Sequence, residues 1–221
     1  NRILGDGHPL YFIADIGANH NGNLNKAIEL IELAKDSGAD AAKFQNFQAS
    51  KIVSDRGFKS LKTKLSHQTG WKKSVFETYK EASISFEWTS ILKNKCDEVG
   101  IDYFSSPYDF ESVDQIDPYV EIFKIGSGDI TWLDIIEHIA KKGKPIILAT
   151  GASEMKEVES AMNLISNYTD EIVLMQCNTN YTADNDKHKY VNLNVLKNYK
   201  RKFKNAILGL SDHTIGHATV L

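Results

Sequence analysis

The chain has 221 residues, of which 42% are hydrophobic and 25% charged, with a formal net charge of −3. That is the composition of an ordinary soluble globular protein, at a length where an α/β barrel of roughly 200–250 residues folds as one domain. It argues against nucleic-acid and membrane roles: the densest basic run is Lys197, Lys200, Arg201, Lys202 and Lys204, spaced like the exposed face and end of a helix, and no apolar run approaches the ~20 residues that span a bilayer.

In chain order, Tyr11–Gly17 reads as an apolar strand with Asp15 near its end, and Ala18–Asn23 as a polar turn cluster. Ala27, Leu30, Ile31 and Ala34 recur at helical spacing, which predicts a helix from about Leu24 to Lys35, stopped by Gly38. Ala41–Phe47 (A-A-K-F-Q-N-F) then reads as a buried strand of the parallel kind and completes a βαβ unit. Lys43 and Gln45 stand two residues apart in it and so share one face. Either this is an edge strand with solvated polar residues, or it is a barrel strand whose inward face carries an anion-binding lysine.

Residues 48–83 break the rhythm. Gln48–Gly70 is polar without steady periodicity, a length of connection that is usually functional or mobile, and Trp71–Glu81 reads as a short helix. A helix over Phe86–Val99 leads to a strand over Asp102–Pro107, and a short helix over Phe110–Ile116 to a strand over Glu121–Ser127. Helices over Leu133–Lys141, Met155–Asn167 and Asn192–Phe203 alternate with strands over Pro145–Thr150, Glu171–Cys177 and Ala206–Ser211. A further helix is expected to begin after Ser211-Asp212-His213, with His217 one turn inside it. This alternation fits an open doubly wound sheet or a (β/α)8 barrel. The regular period, the lack of a Gly-rich dinucleotide loop and the polar residues after nearly every strand favour the barrel. The expectation is one TIM-barrel domain over residues 1–221, with the last strand–helix unit lying outside this chain.

The strand ends carry Asp15, Lys43 with Gln45, Ser105 with Ser106, Lys124 with Ser127 and Asp129, Thr150, Asn178 to Tyr181, and Ser211-Asp212-His213. Lysines inside two apolar strands, with hydroxyls around them, describe a pocket for an anion with several oxygens. Asp15 and Asp129 either act as general acid or base or neutralise the lysines. His213 is a candidate metal ligand, and His20 a weaker one. Cys177 reads as a small buried hydrophobe. Two cysteines, Cys96 and Cys177, are too few for a disulfide framework, so a reducing cytoplasm is expected.

The motifs I-A-D-I-G-A-N-H-N-G (13–22), G-A-D-A-A-K-F-Q (38–45), F-K-I-G-S-G-D (123–129), L-A-T-G (148–151), Q-C-N-T-N-Y (176–181) and G-L-S-D-H-T (209–214) resemble, in order, those of the sialic acid synthase family. These are the phosphoenolpyruvate-dependent synthases of N-acetylneuraminate, legionaminate and pseudaminate. The resemblance implies a (β/α)8 barrel that condenses phosphoenolpyruvate with an N-acetylated hexose such as N-acetylmannosamine, giving a nine-carbon 2-keto-3-deoxy acid and phosphate. It implies that Lys43, Lys124, Ser105, Ser127, Asn178, Thr179 and Ser211 hold phosphoenolpyruvate, and that His213 binds a divalent metal, Mn or Mg. It places Gln45, Asp129 and Tyr181 near the sugar and the reacting carbons. It further implies a homodimer and a small C-terminal antifreeze-like domain outside these residues. The family usually carries Glu at the positions of Asp15 and Asp129, and Ser at that of Ala149. A Schiff-base aldolase using Lys43 or Lys124, and a non-catalytic sugar-phosphate binding module, are the alternatives.

Overall fold

The computed structural model describes residues 2–61, 71–179, 185–217 and 219–220. It divides into two compact units, Pro9–Phe123 and the combination of Asn1–His8 with Lys124–Leu221.

The first unit is built on a parallel sheet in the order β1 (Ile13–Gly17), β2 (Ala41–Asn46), β3 (Asp102–Pro107). Helix α1 (Leu24–Asp36) links the first two strands. The Asn23 side chain caps it by accepting from the Lys26 backbone N–H, and Ala27, Ile31 and Ala34 form its buried stripe. Gly38, at φ +84°, turns the chain out of the helix. Burying a side chain such as Ile31 contributes about 1.5–3 kcal/mol. Ala41, Ala42 and Phe44 of β2 are fully buried. Because β2 lies between β1 and β3, the edge-strand reading of Lys43 falls away.

The polar connection after β2 holds helical turns that the sequence pattern did not announce, α2 (Ala49–Ile52) and α3 (Asp55–Ser60). Four and six residues are too few to show a period. Residues 62–70 of that connection lie outside the described residues. Helix α4 covers Val75–Ala82 rather than starting at Trp71, because Ser74 and Glu77 form a reciprocal capping box that fixes its first turn. Helix α5 (Trp88–Val99) buries Thr89, Leu92 and Cys96, packs on α1, and ends at left-handed Gly100. Helix α6 (Phe110–Ile116) follows β3 and is capped by Asp109, which accepts from the Ser112 N–H.

The second unit has a four-stranded sheet in the order β4 (Phe123–Ile125), β5 (Ile146–Ala149), β6 (Ile172–Cys177), β7 (Ile207–Ser211). β5, β6 and β7 pair in parallel. Helices α7 (Leu133–Ala140), α8 (Met155–Ile165) and α9 (Val195–Lys202) intervene. α7 buries Ile135, Ile136, Ile139 and Ala140, and α8 buries Val158, Ala161, Met162 and Ile165. The basic run Lys197–Lys204 is exposed on α9 and just past it, as its spacing predicts. β4 is shorter than expected, since Ser127–Asp129 wind into a 3-10 turn instead of extending the strand. β7 pairs with β6, and all five of its residues are half-buried.

No described residue after Ser211 is helical. The Asp212 carboxylate accepts from the Thr214 N–H at 3.0 Å, the Thr214 hydroxyl at 2.8 Å and the Thr219 hydroxyl at 2.5 Å. Side-chain bonds of this kind hold turns in competition with helix, so His217 sits in an exposed bend. The α/β class with parallel sheets is thus observed in both units. No helix of the described residues is long and apolar enough to cross a membrane.

Candidate active site

Residues paired across neighbouring parallel strands point to the same face, and i, i+2 neighbours share it. In the first unit Asp15 pairs with Lys43, Lys43 with Phe104, and Gln45 with Ser106. Asp15, Lys43, Gln45, Phe104 and Ser106 therefore occupy one face of the sheet, as the two-residue spacing of Lys43 and Gln45 predicts. Lys43 is 6% exposed, and its Nζ lies 2.7 Å from Asp15 Oδ1. A buried ammonium needs such a partner. The register of β1 shifts between Asp15 and Gly17, just after the Asp15–Lys43 pair. Gly17 has φ +53°, and a Cβ there would stand 3.3 Å from Asp15 Oδ1 and 3.6 Å from the Gln45 amide carbon.

Phe44, Asn46, Tyr103 and Ser105 occupy the opposite face, against α5. Ser105 is fully buried, and its hydroxyl donates to Asn46 Oδ1 at 2.6 Å, while Asn46 Nδ2 donates to Thr89 Oγ1 at 3.4 Å. The family resemblance implies that Ser105 holds phosphoenolpyruvate with Lys43; the register puts it on the opposite face from Lys43, in a polar contact under the helix. The residue that the register puts on the lysine face is Ser106. It is 1% exposed, and its Oγ has no hydrogen-bond partner among the described residues. Strand alternation separates the two serines, but only the pairing with Gln45 says which one faces Lys43.

His20 stands in the turn after β1, fully buried, its Nδ1 accepting from the Gly22 N–H at 3.1 Å and its ring edge-on to Trp88. Burial, and secondarily the Lys26 charge, lower its pKa, so it stays neutral. Its Nδ1 contact fastens the turn.

In the second unit Ala149 pairs with Met175, and Cys177 with Ser211, so Ala149, Cys177 and Ser211 share a face. The Cys177 thiol is 3.8 Å from Ser127 Oγ. Gly151 closes the cluster: at φ +57°, a Cβ there would be 2.7 Å from Ser127 Cβ and 3.1 Å from Thr179 Cγ2. The chain after β4, β5 and β6 thus brings Ser127 and Thr179 together around a glycine, a role for Gly151 that only the structure reveals. Cys177 is 3% exposed, the small buried hydrophobe expected of it, and the Cys96 thiol is pushed up to about 12 by burial. Lys124 is 6% exposed, with Nζ donating to the Ile125 carbonyl at 3.2 Å. Burial pushes the Asp129 carboxyl up to about 6, against the opposing pull of the Lys124 charge. Asn178, Thr179, Ser211 and His213 are half-buried at the strand ends, and Tyr181 lies outside the described residues.

Asp212 is engaged rather than available: burial opposes its charge, yet the Thr219 and Thr214 hydrogen bonds win and hold its carboxyl below the usual range. His213 offers one imidazole for a metal. Among the described residues there is no group of three or more His, Cys, Asp or Glu able to enclose an ion. This donor set fits one ligand of a metal site, not a whole one.

A model of the NeuB family matches residues 30–221. The chain is 38% identical over 211 residues to the N,N'-diacetyllegionaminic acid synthase of Campylobacter jejuni, covering 92% of this chain and 60% of that protein. It is 31% identical over 218 residues to the human N-acetylneuraminate-9-phosphate synthase, covering 98% of this chain and 59% of that protein. The chain thus spans about three-fifths of the length of these relatives. Among solved structures, the N-acetylneuraminic acid synthetase of Leptospira borgpetersenii, in complex with citrate, superposes with a TM-score of 0.83 at 26% identity, over 99% of this chain and 72% of that one. A truncated 3-deoxy-D-arabino-heptulosonate 7-phosphate synthase of Thermotoga maritima shares the fold, with a TM-score of 0.62 at 12% identity over 90% of this chain and 63% of that one.

Proposed function

Because this chain belongs to the NeuB family, we propose that the full-length protein condenses phosphoenolpyruvate with an N-acetylated amino sugar, giving a nine-carbon 2-keto-3-deoxy acid and phosphate. The observation that carries the reading is the make-up of each unit: a lysine only 6% exposed inside a sheet strand, with hydroxyls on or just after neighbouring strands. Such a lysine binds the oxygens of a small multiply charged anion. The proposed fold is the (β/α)8 barrel, supported by the strand–helix alternation.

In the first unit, Lys43 with Gln45 and Ser106 is the place for anionic or hydroxyl oxygens. In the second, Lys124, Ser127, Asn178, Thr179 and Ser211 serve the same purpose. The C3 carbon of phosphoenolpyruvate forms the new bond to the sugar's aldehyde carbon. Positive charge then develops at C2, where a carboxylate stabilises it electrostatically. By family resemblance alone, Asp15 and Asp129 are assigned that task, and with it the orientation of the water that adds to C2. The tetrahedral species then sheds phosphate by C–O cleavage, and a fixed ammonium stabilises the departing charge. Tyr181 is assigned to the sugar by family resemblance alone. His213 would be one ligand of a divalent metal, Mn or Mg, which supplies Lewis acidity toward the aldehyde oxygen. The remaining parts of the proposal are a single catalytic domain, a cytoplasmic location, a homodimer, and no nucleic-acid or membrane partner.

The test is phosphate release from phosphoenolpyruvate by the full-length protein across a panel of N-acetylated hexoses, with and without Mn. Release that requires both a sugar and phosphoenolpyruvate is expected. No release with any sugar overturns the reading, and an adduct trapped by borohydride on Lys43 or Lys124 replaces it with an aldolase.

A further inference from the structure

The Lys43–Asp15 pair is asymmetric: the lysine side chain is 8% exposed and the aspartate side chain 43%. The carboxylate therefore lies on the solvent side of the ammonium, and an anion approaching Lys43 meets Asp15 first. The pair is also built rather than incidental. The β1 register shift falls between Asp15 and Gly17, and Gly17 takes φ +53°, with space beside the Asp15 carboxylate and the Gln45 amide that a Cβ would crowd.

A carboxylate and a multiply charged oxyanion compete for one ammonium. The ammonium has three N–H donors, but a second anion held on it brings two negative groups into close like-charge contact, which disfavours holding both. The geometry points to Asp15 as the resting counter-ion of Lys43, displaced when substrate oxygens take the ammonium. Before substrate arrives, Asp15 keeps the buried ammonium compensated. After displacement its negative charge is no longer cancelled by Lys43 and stands beside Gln45, so one group serves first as a guard and then as the charge that turnover uses. This inference rests on the reading of Lys43 as an anion-binding residue.

The experiment is calorimetric titration of the full-length protein with phosphoenolpyruvate alone, alongside steady-state kinetics, for the wild type, Asp15→Asn, Asp15→Ser and Lys43→Met. Both neutral replacements of Asp15 are expected to bind phosphoenolpyruvate about tenfold tighter, equivalent to about 1.4 kcal/mol, while kcat falls at least tenfold. Damage to the fold weakens binding, so tighter binding with slower turnover separates the counter-ion role from a structural one. Lys43→Met is expected to lose at least tenfold in affinity. If neither Asp15 variant binds tighter while Lys43→Met binds weakly, the counter-ion role is overturned and the anion reading stands. If Lys43→Met binds as well as wild type, the anion reading fails and takes this inference with it.

Discussion

Replacing Gly151 by alanine puts two separate costs on one position. At φ +57° the residue is left-handed, where a Cβ costs roughly 1–2 kcal/mol. The new methyl would also stand 2.7 Å from Ser127 Cβ, roughly an ångström inside ordinary carbon–carbon contact. Ser127 cannot yield by rotating, because the clashing atom is its Cβ; the 3-10 turn Ser127–Asp129 has to move. Overpacking of that sort costs about 1–3 kcal/mol. Together these give a loss of about 2–5 kcal/mol, read as a lowered denaturant midpoint at unchanged slope. If Ser127 contacts the substrate anion, a shift of about 1 Å also lowers kcat/KM by up to about a hundredfold. The serine analogue is no milder, since it carries the same Cβ. A loss below about 1 kcal/mol for Gly151→Ala would refute the reasoning, because it would mean that Ser127 and the turn after β4 adapt freely.

Asp129, pushed up to about 6, is protonated in the folded protein at pH values where the unfolded chain has already released its proton. The native state then binds more protons, so stability should fall as pH rises from about 4 to about 6, and Asp129→Asn should abolish that slope. If turnover needs the ionised carboxylate, activity falls on the acid side with an apparent pKa near 6, a limb missing from the Asn variant's residual activity profile. The two serines of β3 should separate cleanly. Ser105→Ala leaves buried Asn46 Oδ1 without its donor and should lower stability by about 1–3 kcal/mol with KM unchanged. Ser106→Ala removes a hydroxyl with no partner among the described residues and should leave stability within about 0.5 kcal/mol while raising the KM for phosphoenolpyruvate; the reverse pattern would contradict the strand register. His213→Ala should reduce bound metal and metal-dependent turnover together, and unchanged metal content would remove His213 from the site.

What the sequence disclosed follows from how local each feature is. The shared face of Lys43 and Gln45 needs only the two-residue repeat of a strand, and the end of α1 needs only Gly38. The capping box of α4 was also legible, as Ser74 followed three residues later by Glu77, and it marks the start more sharply than the aromatic Trp71. The choice between Ser105 and Ser106 was not legible, because it depends on the register between β2 and β3, strands far apart in the chain. The ion pair of Asp15 with Lys43 likewise joins residues whose proximity only sheet pairing creates. The helix expected after Ser211 fails for another reason: its residues are compatible with helix, but Asp212 gathers the Thr214 and Thr219 hydroxyls into turns.

The connection from Asn46 to Asp102 is more than twice as long as that from Gly17 to Ala41, yet both deliver a strand to the same sheet in register. Loop-closure entropy grows only with the logarithm of length, about 0.6 kcal/mol per doubling. The crossover that carries α2, α3 and α4 can therefore lengthen or shorten between lineages with little effect on folding free energy. The pairing of Lys43, Gln45 and Ser106 is set by strands that such changes do not touch. The architecture thus separates a segment free to diverge in length from a polar strand face that is not.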